Sequence, residues 1–150
     1  LPLTSFVILF SIAAVLPFFL YFECMKYVII LFKLIVSLTI LNVWILRVNK
    51  SSIYRGGDSV DLMSEFMSYG LSINIMYMVG AAKVISALLL LISVFFKKLE
   101  SIPLIIISIF MIGAIYFHFS INDALIKSFP AALMLLLSIG IYFLKMIYKV

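Results

Sequence analysis

Residues 71–96 read LSINIMYMVGAAKVISALLLLISVFF, and Lys83 is the one charged side chain among them. A helix rises about 1.5 Å per residue, so roughly 20 residues cross the ~30 Å of bilayer hydrocarbon. This run is long enough to do so. Its apolar side chains occupy every face instead of alternate positions, which excludes a barrel strand. Lipid offers the backbone no hydrogen-bond partner, and a helix satisfies its own. The stretch therefore reads as a membrane-spanning helix.

Working outward, four more apolar stretches of similar length flank it: Leu3–Phe22, Tyr27–Leu46, Ile102–Ile121 and Phe129–Tyr148. Over 150 residues the chain is 67% hydrophobic and 11% charged, where soluble chains are about half apolar and a quarter charged. Too few polar side chains remain to cover a water-soluble surface of this size. The fold class is all-α: an integral membrane four-helix bundle with an extra N-terminal apolar segment. Sparse charge excludes a nucleic-acid-binding domain, and the net charge of +5 reads as membrane flanks. Cys24 is the single cysteine and His118 the single histidine, so the chain alone holds no disulfide, iron–sulfur cluster, bis-histidine haem or metal ligand set.

Ser101-Ile102-Pro103 and Ser128-Phe129-Pro130 each place a capping hydroxyl shortly before a proline suited to a first helical turn, so both mark expected helix starts. Short connections make the last helices antiparallel neighbours. The substantial loop, 47–70, has an amphipathic pattern in Val60, Leu62, Met63, Phe66 and Met67. It predicts a short interfacial helix over Asp58–Tyr69, capped by Asp58 or Ser59. Residues 1–24 admit two readings, a genuine first helix or an upstream extension of a chain whose natural start is Met25; the bundle proper is 25–150. Lys26, Lys33, Lys97, Lys98, Lys145 and Lys149 lie toward one side of that core, against Arg47, Lys50, Arg55 and Lys127 toward the other. The balance favours a multi-pass protein of the cell membrane with both core termini in the cytoplasm.

Asn42-Val43-Trp44-Ile45-Leu46-Arg47, then Tyr54-Arg55-Gly56-Gly57-Asp58 and Glu65-Phe66-Met67-Ser68-Tyr69-Gly70-Leu71, resemble the DoxX-like family of small four-helix membrane proteins. Tyr77-Met78-Val79-Gly80-Ala81-Ala82-Lys83, Met111-Ile112-Gly113-Ala114 with His118 and Asp123, and Ser128-Phe129-Pro130-Ala131 continue the resemblance, which spans Met25 to Lys149. It implies a four-helix fold. The family includes proteins associated with terminal quinol oxidase or thiosulfate:quinone oxidoreductase and relatives proposed as assembly factors, with no shared catalytic motif.

Ionisable groups inside apolar segments are the candidates for chemistry, since a charge at the bilayer centre costs about 2.5–3.5 kcal/mol even on mild scales. Lys83 leads: it is either a cation facing a bundle cavity, open to a quinone carbonyl, a lipid phosphate or a carboxylate from the loop, or a side chain that snorkels or sits neutral with a shifted pKa. His118 with Asp123 reads as a polar cap at the interface or as a proton-transfer pair. Asn42 and Arg47 close the first core helix, where Trp44 suits an interfacial belt, and Arg55, Asp58 and Glu65 supply charge in the loop. Ala82, Ser86 and Ser93 form a stripe of small residues, and Gly113-Ala114 a thin spot, both read as close helix packing. No nucleophile–base arrangement stands out, so the reading leans away from an enzyme.

Three functions remain open. The first is a non-enzymatic accessory or assembly partner of another membrane component. The others are a quinone-binding oxidoreductase subunit and a lipid or small-molecule carrier. The expected surroundings are a lipid bilayer and a membrane protein partner, with self-association also open; no resident cofactor is expected beyond a quinone.

Overall fold

The computed structural model describes residues 23–148. The stretch Leu3–Phe22 lies outside the described residues, as does Lys149. Five helices follow one another: α1 (Glu23–Leu46), α2 (Leu62–Ser68), α3 (Ile73–Ile92), α4 (Ser101–Ser120) and α5 (Leu125–Tyr148). A 3₁₀ turn, Lys97–Leu99, leads into α4. α1, α3, α4 with its leading turn, and α5 are each long and apolar enough to cross a membrane, and no strand occurs among the described residues. The fold is a helical membrane bundle.

α4 packs between α3 and α5. α1 closes the bundle, with Trp44 against Gly80 of α3 and Phe32 against Gly140 of α5. Val36, Leu90, Ile107 and Ile141, one from each spanning helix, are wholly buried at the centre. Leu31, Ile85, Ile105 and Leu136 point outward and stay more than half exposed. In water such faces would be an aggregation hazard, whereas lipid tails solvate them.

Helix starts differ from expectation for identifiable reasons. α5 begins at Leu125, so Pro130 lies inside it and Ser128 is not a cap. Asn122 reverses the chain in a left-handed conformation, and the Lys127 amide bonds the Ala124 carbonyl at 2.9 Å, closing a helical turn ahead of the proline. Ser101 does not cap α4, because Glu100 precedes it in helical conformation and the 3₁₀ turn runs straight in. α2 is shorter than predicted, and its cap is Asp61 instead of Asp58 or Ser59. The Asp61 carboxylate accepts from the Ser64 amide at 2.7 Å, and the Ser64 hydroxyl accepts from the Asp61 amide at 3.2 Å. That hydrogen bonding also holds the Asp61 carboxyl below its ordinary pKa.

The end of the bundle away from α2 is closed by a buried ion cluster. Glu100, ahead of α4, pairs with Lys33 of α1 and with Lys145 of α5, the latter at 2.6 Å. The Lys33 ammonium also donates to the Ser93 carbonyl at 3.2 Å. Lys33 is only 3% exposed, so it is a buried cross-link and not one of the flanking charges it was counted among.

Candidate functional site

At the opposite end, the loop after α1 turns sharply at Gly56-Gly57 and lies over α2. Gly57 has φ +58°, and a Cβ on Gly56 would overlap the Tyr69 hydroxyl, so both positions favour glycine. This close approach brings the Gly56 amide to Glu65 Oε1 at 2.9 Å. Arg55 Nη1 donates to Glu65 Oε2 at 2.8 Å, while its Nη2 donates to the Arg47 carbonyl at 2.7 Å. Buried and fully engaged, Glu65 holds the loop to α2.

Tyr69, one helical turn after Glu65, carries the network to α4. Its hydroxyl proton has two acceptors, Glu65 Oε1 at 3.1 Å and the His118 ring. His118 Nδ1 donates to Asp123 Oδ2 at 2.8 Å, which leaves Nε2 as the acceptor 3.4 Å from Tyr69. Asp123 Oδ1 accepts from Lys127 Nζ and from the Gly57 amide, both at 3.0 Å, and Lys127 also donates to the Gly57 carbonyl. Burial and the nearby Glu65 carboxylate push the Tyr69 phenol above its ordinary pKa. Burial alone would raise Asp123, but the hydrogen bonds from His118, Lys127 and Gly57 win and hold its carboxyl below the usual range.

Beneath this network lies a cavity of about 640 Å³, in the range of small-molecule sites. Lys83 of α3 stands in it, its ammonium 5.0 Å from the centroid of the Trp44 ring and 5.8 Å from that of Phe110. Trp44 therefore turns inward and walls the cavity. The last turn of α1, Asn42–Leu46, widens to a π-helix, and the Trp44 ring seats against Gly80, where a Cβ would come within 2.7 Å of it. Gly113 is likewise not a close-packing contact: nothing lies within 4 Å of a Cβ built there, and with Ala114 it lines the cavity.

Of the residues singled out from sequence, Lys83, His118, Asn42, Arg47, Arg55 and Glu65 all line this cavity. Asp123 supports His118 from behind. Asp58 is exposed and lies outside the network. Sequence reasoning missed two members, Tyr69 and Lys127. Each sits four residues after an acid of the network, Glu65 and Asp123, and that helical spacing was the available signal.

The sequence profile of the DoxX-like family matches residues 52–140, more than half of the chain. The chain belongs to the DoxX-like family. The match contains Arg55, Glu65, Tyr69, Lys83, His118, Asp123 and Lys127, while Asn42, Trp44 and Arg47 at the end of α1 fall outside it. No curated protein and no solved structure matches this DoxX-like protein.

Proposed function

We propose that this DoxX-like protein binds a small amphiphilic molecule inside the membrane, as a carrier or as the binding subunit of a larger membrane assembly. One observation carries the reading: Lys83, 7% exposed near the middle of a spanning helix, faces a cavity walled by aromatic and aliphatic side chains. A charge is retained at that depth where it meets a partner or a polar ligand. A quinone is a suitable neutral guest, with a carbonyl for Lys83 and a flat ring for Trp44 and Phe110. The chain from Tyr69 through His118 to Asp123 would then serve its protons. The accessory role follows from the family resemblance and is compatible with a bound guest.

Trp44 is the only tryptophan and lines the cavity, so its emission reports occupancy directly. In lipid nanodiscs, a decyl-chain quinone is expected to quench it saturably, and Lys83→Met to weaken that quenching. Native mass spectrometry of protein taken from its own membranes is expected to show a retained small molecule. A spectrum free of small molecules, together with no saturable quenching by a quinone or by any single-chain amphiphile, would overturn the proposal.

A further inference from the structure

The charged groups around the cavity are unequal in number and in how they are engaged. Arg47, Arg55, Lys83 and Lys127 line it, against the single carboxylate of Glu65. Glu65 is spent on Arg55, the Gly56 amide and Tyr69. Lys127 is held by Asp123, and Arg47 donates to the Ser51 carbonyl. Among the described residues Lys83 alone of these cations has no carboxylate, carbonyl or hydroxyl within hydrogen-bond distance, only the two ring faces. An ammonium so far from water is costly to leave with ring faces alone.

From this imbalance, and resting on the reading of the cavity as a binding site, we infer that the guest is an anionic amphiphile whose carboxylate pairs with Lys83. The ion pair completes a site that already supplies the cation. One ammonium between two aromatic faces suits a flat, singly charged head group, and a phosphate would demand more donors than this depth offers. The tail then runs along apolar lining such as Val79, Met111 and Met134. Arg47 at the loop end, which has no carboxylate partner among the described residues, adds a field of the same sign that draws anions toward the site.

Two quenchers that differ only in head group test this, ω-bromoundecanoic acid and ω-bromoundecanol, titrated against Trp44 emission in nanodiscs with the acid ionised. The acid is expected to bind at least about tenfold more tightly than the alcohol. Lys83→Arg should keep that preference, which also serves as the folded control, and Lys83→Met should erase it while both guests still quench. Equal binding of acid and alcohol by the unaltered protein would overturn the inference and leave the proposed binding function standing. A preference for the acid that survives Lys83→Met would remove Lys83 from the site. Saturable quenching by neither guest would count against the inference and the binding function together.

Discussion

Two glycines on neighbouring helices face opposite demands, and substituting each gives opposite results. A methyl group at Gly80 would strike the Trp44 ring. Gly80→Ala is therefore expected to cost about 1–3 kcal/mol of stability and to shift Trp44 emission, measured by thermal unfolding in detergent and by fluorescence. Gly113 has open space around it, so Gly113→Ala should leave the unfolding midpoint unchanged or raised while reducing saturable binding in the cavity. Asp123 makes a prediction in pH. Its native carboxyl is held below the ordinary value, so the stability it contributes is whole above about pH 4 and is lost as pH falls below that. Asp123→Asn should flatten that acid-side loss in a melting series. At this scale the sequence was informative where a residue broke its context, as Lys83 does in an apolar helix. It was silent on the inward turn of Trp44, because an interfacial aromatic and a cavity wall have the same composition until Gly80 is seen opposite.

The spanning helices were readable to within a few residues, because a charge-poor run of sufficient length has one stable solution in lipid. Their ends were not, because side chains from distant elements decide them. Lys127 is committed to Asp123 and Gly57 within the first turn of α5, which starts ahead of its proline. The buried cluster at the other end illustrates the limit further: no periodicity links residues 33, 100 and 145, yet Glu100 joins α1 to α5. Glu100→Ala would strand two lysines, one of them fully buried. It is expected to destabilise the bundle by about 3–5 kcal/mol in a denaturant titration, with Lys145→Met costing less because that side chain is one-third exposed. Unchanged stability in Glu100→Ala would show that α1 is held by apolar contacts alone.

Across the whole molecule, four spans return the chain to the side on which α1 begins, so α2 and its loop lie on the opposite face of the membrane. From the lysine and arginine balance of the loops we propose that α2 faces the outside of the cell. Cys24 is the sole cysteine and is exposed, which makes labelling direct. In intact cells the thiol introduced by Asp58→Cys should react with an impermeant maleimide, and Cys24 only after the membrane is opened. The reverse pattern would invert the orientation.

The stitch from the Gly57 amide to Asp123 spans 66 residues, and so carries a consequence in time. On the ribosome, Gly57 is made well before Asp123 exists, and chains fold broadly from the N-terminus as they emerge. The glycine turn must therefore wait, with its amide unbonded to protein, until the hairpin of α4 and α5 has entered the membrane. The chamber around Lys83 gains its outer wall only once the α4–α5 hairpin is in place, and any chain released before residue 123 lacks it.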